Sequence, residues 1–85
     1  MSYRIEFAPA AARIFKKLPD SVQSRMTPKV DSLAAIPRPH GVEKLAGYAN
    51  RYRIRVGNYR IIYVIDDGSH LLTIAVIGHR REVYR

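Results

Sequence analysis

Residues 51–65, which read RYRIRVGNYRIIYVI, constrain the fold of this chain more than any other stretch. Two segments of alternating side chains flank Gly57 and Asn58, a pair that favours a two-residue β-hairpin turn. In that register Arg55 lies directly opposite Arg60, and opposed residues share one face of the hairpin. The pattern therefore predicts one face rich in arginine, formed by Arg51, Arg53, Arg55 and Arg60.

The other face of this hairpin is apolar and aromatic, and something must cover it. Its members are Tyr52, Ile54, Val56, Tyr59, Ile61, Tyr63 and Ile65. The segments upstream are the expected cover. On the arginine side, like charges directly opposite each other destabilise a strand pair, so the pairing of Arg55 with Arg60 is hard to explain by folding alone. A polyanion bound to that face would resolve the repulsion.

The rest of the chain supplies two helices and two further strands. Residues 3–7 alternate as a short half-buried strand, and Pro9 suits the first position of a helix that Pro19 ends. A second helix follows from Asp20 or Ser21 and stops before Pro37. Residues 37–50 are predicted as a loop that leads into the hairpin. The apolar run 70–77 predicts a central strand that is covered on both faces.

The element order is thus β-α-α-β-β-β, an α+β fold in which an αα-hairpin packs on one face of an antiparallel sheet. A chain of 85 residues is expected to form one domain, residues 1–85.

Charge narrows the choice of partner. Fifteen Lys and Arg residues against seven Asp and Glu give a formal charge of +8, which favours an anionic partner. Most of the basic residues are arginine, which suits bidentate phosphate binding.

The absence of cysteine excludes disulfides and thiolate zinc sites. The three histidines lack the usual spacing of metal ligands, so neither a metal nor a cofactor is expected. Without a signal peptide or an apolar run long enough to span a bilayer, we expect a cytoplasmic protein with no membrane partner.

Two segments of the sequence carry a family resemblance. KLAGYANRYRIRVGNYRIIY, residues 44–63, and GHRREVYR, residues 78–85, follow a predicted αα-hairpin of suitable length. Together they resemble the RelE/ParE superfamily of bacterial and archaeal toxins, and most closely its RelE branch. The resemblance implies the RelE-like microbial RNase fold and a toxin of a type II toxin-antitoxin system. It further implies a ribosome-dependent endonuclease that cleaves messenger RNA in the decoding site and inhibits translation, with a RelB-like antitoxin, the ribosome and mRNA as partners.

The resemblance also assigns the site residues. It implies that the catalytic residues are Arg53, Arg55, Arg60, Arg80 and Tyr84. Arg51, Arg81 and His79 are expected to bind RNA, since they share the arginine face or the basic C-terminal cluster. Relatives have lysine where this chain has Arg53 and Arg55, and arginine is always protonated, so neither can serve readily as a general base. His79 is the best base by the ordinary pKa of its side chain.

The expected reaction is a metal-independent attack of the RNA 2′-hydroxyl on the adjacent phosphate. Several fixed arginines would stabilise the charged intermediate, and Tyr84 could stack on a base or transfer a proton. Two other classes of function stay open. One is a ParE-like poison of DNA gyrase, and the other is a non-catalytic basic module that binds nucleic acid. The full set of arginines with Tyr84 favours the RelE-like reading.

Overall fold

The computed structural model describes residues 2–79, which form two helices and five strands. In chain order the elements are β1 (Arg4–Phe7), α1 (Pro9–Lys17), α2 (Asp20–Ser32), β2 (Glu43–Lys44), β3 (Arg51–Val56), β4 (Tyr59–Asp66) and β5 (Leu71–His79). The five strands make one sheet in the order β1-β5-β4-β3-β2. The α+β class predicted from the sequence is confirmed.

The central hairpin has the register that the sequence predicts. Arg51 pairs with Val64, Arg53 with Ile62, and Arg55 with Arg60 across β3 and β4. Gly57 begins the turn with a φ of +59°, a value that glycine adopts without a steric penalty. A positive φ at the first turn position alone is the mark of a type II′ turn, whose twist matches that of the flanking strands.

Two details of the sheet correct the prediction. β1 pairs with β5 in parallel, Ile5 beside Leu72 and Phe7 beside Ile74, so the sheet is mixed rather than purely antiparallel. Alternation tells which residues share a face but not in which direction a strand runs, and four residues fit either direction. The second detail is β2, a two-residue strand within the segment predicted to be a loop, which pairs antiparallel with β3. Two residues are too few for alternation to reveal.

Both helices cover one face of the sheet and make the core there. Ala11 of α1 and Met26 and Val30 of α2 are buried with Leu33 against the aromatic and aliphatic side chains of the hairpin and β5. Pro9 stands at the start of α1 as predicted. The side-chain amide of Gln23 donates to the carbonyl oxygens of Phe15 and Leu18 at 2.9 and 3.0 Å. It thereby ties the end of α1 to the first turns of α2, and it shares the Phe15 carbonyl with the backbone N–H of Leu18.

β5 lies between β1 and β4, as predicted, but it is not covered on both faces. Val76 is 39% exposed, whereas Leu72, Ile74 and Ile77 are buried. The spacing from Ile74 to Ile77 is odd because the register shifts between Ile62 and Tyr63, which leaves one extra residue in β5. This β-bulge resets which side chains face the core.

Hydrogen bonds from side chains fix the segment between α2 and β2. Arg38 donates to the Tyr52 hydroxyl at 2.8 Å and to Oδ2 of Asp67 at 2.9 Å. The buried hydroxyl of Tyr63 donates to the Pro37 carbonyl at 2.8 Å. Hydrogen bonds from Arg38 and Tyr3 hold the pKa of Asp67 below its usual range. Burial raises the pKa of Tyr63 to about 12.

Neither helix in the described part of the chain is long and apolar enough to cross a bilayer.

Candidate nucleic-acid interface

The face of the sheet turned away from the helices carries the arginines that the hairpin pattern predicts. We call Arg51, Arg53, Arg55 and Arg60 the arginine face. The first three occupy alternate positions of β3, and Arg60 occupies β4 opposite Arg55. Alternate residues along a strand are about 6.6 to 6.8 Å apart, so the three arginine positions of β3 are evenly spaced along the backbone.

Arg60 is the most enclosed member of the arginine face. Its exposed fraction is 4%, and its Nη1 lies 3.5 Å from the carbonyl oxygen of Tyr59. On one side it is paired with Arg55, and on the other it is paired with Gly78 of β5, which has no side chain to compete for space. Charged residues are rarely buried to this extent without a strong reason, and a second arginine beside it makes the position costlier.

Three of the four arginines line one open cleft of about 340 Å³, together with Gly41, Val42 and Glu43. Arg53, Arg55 and Arg60 contribute to its floor from β3 and β4. We call this hollow the cleft. A hollow of this size lies at the lower end of the range of ligand sites, and guanidinium groups are suited to phosphate oxygens.

Glu43 is the residue of the cleft that the sequence reading missed. Its Oε1 accepts a hydrogen bond from Nε of Arg53 at 3.0 Å and another from Nη2 of the same guanidinium. β2 pairs Glu43 directly with Arg53, which produces this contact. The glutamate side chain is 63% exposed and that of Arg53 only 16% exposed. Among the described residues that line the cleft, Glu43 is the only one with a carboxylate.

Arg51 lies apart from the other three arginines. Its guanidinium carbon is 4.7 Å from the centre of the Tyr48 ring, in a cation–π contact. These two residues line a second hollow, of about 310 Å³, with Asn50, Val64 and Asp66. Within residues 2–79, the second hollow and the cleft share no lining residue. The arginine face is therefore divided between two separate hollows, with Arg51 in one and the other three arginines in the cleft.

His79 is not brought into the cleft. It pairs with Tyr59, and the two rings meet edge to face with centroids 5.7 Å apart. Tyr59 alternates with Arg60 along β4, so the strand position of His79 belongs to the helix-covered side of the sheet. The bulge in β5 causes this placement, because it moves Gly78 to the position opposite Arg60.

The remaining predicted site residues, Arg80, Arg81 and Tyr84, lie outside the described residues. Between residues 2 and 79, no three side chains of His, Asp or Glu are grouped as a metal site. The chemistry that the described cleft offers is therefore that of several fixed cations and one carboxylate.

Comparison with known proteins agrees with this fold. The family model described as the ParE toxin of the type II toxin-antitoxin system, parDE, matches residues 5–84. Toxin RelE of Mycobacterium tuberculosis (strain ATCC 25618 / H37Rv) is 31% identical over 88 residues, covering 98% of this chain and 87% of that protein. Toxin RelG of the same organism is 29% identical over 86 residues, covering 100% of this chain and 99% of the relative.

A solved structure shows the same architecture. The archaeal RelE-RelB complex from Pyrococcus horikoshii OT3 contains a chain that is similar to this one with a TM-score of 0.83 and 28% identity, covering 94% of this chain and 97% of that chain. With a family model matched along nearly its whole length and RelE toxins among its relatives, the chain belongs to the RelE/ParE superfamily and is a RelE-family toxin of a type II toxin-antitoxin system.

Proposed function

We propose that this toxin is a ribosome-dependent endoribonuclease that cleaves messenger RNA in the decoding site and so inhibits translation. The observation that carries the proposal is the convergence of Arg53, Arg55 and Arg60 on one cleft that also holds a carboxylate. Membership of a toxin family whose relatives are named RelE supports it.

The cleft suits the attack of an RNA 2′-hydroxyl on the adjacent phosphate. In this reaction the 2′-oxygen loses its proton and bonds to phosphorus, while the bond to the 5′-oxygen breaks and that oxygen gains a proton. The products are a 2′,3′-cyclic phosphate and a free 5′-hydroxyl. Negative charge accumulates on the phosphorane, and donors fixed around it before the reaction stabilise the transition state most effectively. Arg55 and Arg60 lie side by side, and in this proposal their positive charges stabilise the phosphorane without a metal.

Glu43 is the residue of the described cleft that can accept the proton of the 2′-hydroxyl. Arginine stays protonated in proteins, so the three guanidinium groups cannot do so. His79 has its ring against Tyr59, on the side of the sheet away from Arg60. In this proposal Glu43 is the general base, and Arg53 holds its carboxylate in place. Arg80 and Tyr84 are proposed to complete the site as cation and proton donor, on the strength of the family resemblance.

The ribosome is proposed to supply the substrate geometry. The cleft is open and holds little more than one phosphate with its sugar, so it has few contacts with which to bend a free RNA strand. Cleavage by the 2′-hydroxyl needs that oxygen in line with the leaving oxygen, and correct alignment accounts for a large part of the rate. A message already held in the decoding site would meet this need.

A RelB-like antitoxin is the proposed protein partner. The Pyrococcus horikoshii neighbour is a RelE-RelB complex. A toxin with a formal charge of +8 and an open arginine face should bind an acidic or amphipathic segment that folds on contact. We expect the complex to be tighter at low ionic strength, because charge pairing contributes to its free energy of binding.

Two other functions are separated by experiment. The family model is described as the ParE toxin, which keeps gyrase poisoning as an alternative. A basic nucleic-acid-binding module without activity would also have this charge. The test adds the purified chain to translating ribosomes with a defined message and maps new 5′ ends by primer extension. A parallel supercoiling assay uses purified gyrase.

Cleavage within the occupied decoding site, with little cleavage of the same RNA free in solution and full gyrase activity, is the expected result. Loss of supercoiling with intact messages would establish the ParE-like alternative. Binding without either effect would establish the non-catalytic module.

A further inference from the structure

The second hollow on the arginine face is not used by the proposed cleavage reaction. It is formed at the far end of β3, where Arg51 rests over the ring of Tyr48. Tyr48 is 56% exposed and is one of the large hydrophobic side chains of the described residues that lie open to solvent. An exposed aromatic ring next to a guanidinium plane is the combination on which unpaired bases stack in single-stranded RNA recognition.

The backbone on both sides of Tyr48 is held by hydrogen bonds. The amide of Leu45 donates to the carbonyl of Arg51 at 2.9 Å, and the amide of Ile65 donates to the carbonyl of Asn50 at 2.9 Å. Asn50 itself has a φ of +73°, a conformation that is uncommon for residues other than glycine. Because this backbone is already fixed, it loses little conformational freedom when a ligand binds.

The position of the hollow relative to the cleft fits a continuous strand of RNA. Arg51 and Arg55 are four residues apart on β3, a distance of about 13 Å. Arg53 stands between them on the same face. A strand with its reacting phosphate beside Arg55 and Arg60 could follow this row and bring a base, roughly two nucleotides away, to Tyr48.

Asp66 gives the hollow a means to discriminate between bases. Hydrogen bonds from the hydroxyl and amide of Ser69 occupy its two oxygens once each and lower its pKa. An ionised carboxylate has about four acceptor positions, so Asp66 retains room for another donor. Carboxylates accept hydrogen bonds from exocyclic amino groups such as that of cytosine, and uracil has no such group.

We infer that Tyr48, Arg51 and Asp66 form a subsite for one unpaired RNA base, which prefers a base with an exocyclic amino group to uracil. The inference rests on the proposed function, since it takes the ligand to be the message. It extends that function by naming the residues that read a base at a distance from the reacting phosphate.

The test measures binding without cleavage. The full-length chain is titrated at one fixed ionic strength with 2′-O-methyl hexanucleotides, which have no nucleophilic hydroxyl. One is hexauridine, one has a single cytosine in the same sequence, and one has a single 2-aminopurine whose fluorescence falls when it stacks. We expect the cytosine and 2-aminopurine oligonucleotides to bind more tightly than hexauridine, and the 2-aminopurine to be quenched.

The variants separate stacking from charge. Tyr48→Leu should weaken binding of the 2-aminopurine oligonucleotide by about 5- to 150-fold, the range for loss of one base-stacking contact, and abolish quenching. Tyr48→Phe, which keeps the ring, should remain within twofold of the wild type. Asp66→Asn should remove the preference for cytosine over uracil. Arg55→Ala should weaken all three oligonucleotides alike and leave quenching unchanged.

Equal binding by the wild type and Tyr48→Leu would overturn the inference, as would a wild type that binds none of the three oligonucleotides. A preference for cytosine that survives Asp66→Asn would refute the role of that carboxylate. These outcomes are independent of cleavage. A chain that shows the quenching pattern but leaves messages intact on ribosomes would contradict the proposed function alone.

Discussion

Arg53 donates hydrogens from Nε and Nη2 to one and the same oxygen of Glu43, Oε1. The second carboxylate oxygen is therefore available on a side chain that is 63% exposed. In the proposed reaction this arrangement orients the carboxylate without consuming its whole capacity to accept a proton. The same contact covers part of the Arg53 side chain, which is only 16% exposed on a face open to solvent.

Replacing Glu43 by Gln tests this role. The glutamine carbonyl can still accept a hydrogen bond from Arg53, but it cannot take a proton, so single-turnover cleavage on ribosomes should fall by about 10² to 10⁴ with little change in ribosome binding. Glu6→Gln is the matched control, since Glu6 is ion-paired with Arg4 at the other edge of the sheet. Wild-type cleavage rates in Glu43→Gln would show that Glu43 only holds Arg53.

Arg60→Ala should lower the rate of the cleavage step by about 10² to 10³, because a fixed donor to the phosphorane is lost. Ribosome binding should change far less. Arg4→Ala removes one positive charge from β1, at the opposite edge of the same sheet, and should leave cleavage unchanged. Thermal melting of both variants would identify any loss of fold. Equal effects of the two substitutions would mean that the face acts only through its total charge.

Asp67 should make the stability of the chain sensitive to acid. Hydrogen bonds from Arg38 and Tyr3 lower its pKa in the folded state, so its contribution is present above the pKa of the unfolded chain and is lost as pH falls through the folded value. The melting temperature of the wild type should exceed that of Asp67→Asn at neutral pH. Below a pH of about 4 the difference should shrink steadily. A difference that stays constant down to strong acid would contradict this account.

Tyr63 should make the stability of the chain sensitive to alkaline pH. Burial raises its pKa to about 12, so the folded chain retains this proton at a pH where the unfolded chain has released it. Its stabilising effect is complete below the ordinary tyrosine pKa of about 10 and declines as pH rises towards 12. Tyr63→Phe should be less stable at neutral pH, having lost the bond to Pro37, and should lose less stability between pH 9 and about 11. Denaturant unfolding at several pH values measures both effects.

Gly57→Ala should destabilise the fold by about 1 to 3 kcal/mol, since a φ of +59° is strained for any residue with a side chain. An added Cβ would also lie 3.1 Å from Nη1 of Arg25, although the end of that flexible side chain can move away. Gly68→Ala is the control, because Gly68 lacks a positive φ and its added Cβ would meet an oxygen of Asp66 only at 3.4 Å. The unfolding free energy of Gly57→Ala should be clearly lower than that of Gly68→Ala.

The sequence predicted the hairpin and its arginine face well because both follow from local rules. A turn of two residues fixes the register, and the register fixes the face. The pairing of Arg55 with Arg60 could be predicted from these two rules alone. The predictions that were wrong concerned features that depend on contacts between residues distant in sequence. The two-residue strand that brings Glu43 to Arg53 leaves no periodic pattern, and the direction of β1 is decided by its neighbour.

His79 illustrates the same limit within a single strand. Regular alternation from the buried first half of β5 would place it on the arginine face, with Gly78 in the core. The bulge in β5 instead leaves Ile77 in the core, Gly78 beside Arg60 and His79 against Tyr59. One extra residue in a strand thus decided where a titratable side chain lies, and composition carries no sign of it.

The cleft is built from two parts that differ in how firmly they are held. Arg53, Arg55 and Arg60 stand on β3 and β4, which pair with each other along the whole length of β3, whereas Gly41 and Val42 lie outside the sheet, and Glu43 belongs to a two-residue edge strand. Bonds to Asp67, Tyr52 and Tyr63 pin the segment that leads to them. Local opening of that segment would part Glu43 from Arg53 and leave the pairing of β3 with β4 intact. Amide hydrogens of residues 40–44 should accordingly exchange with solvent long before those of β4. Such an opening would widen the cleft around a polymer while the arginines of β3 and β4 keep their positions.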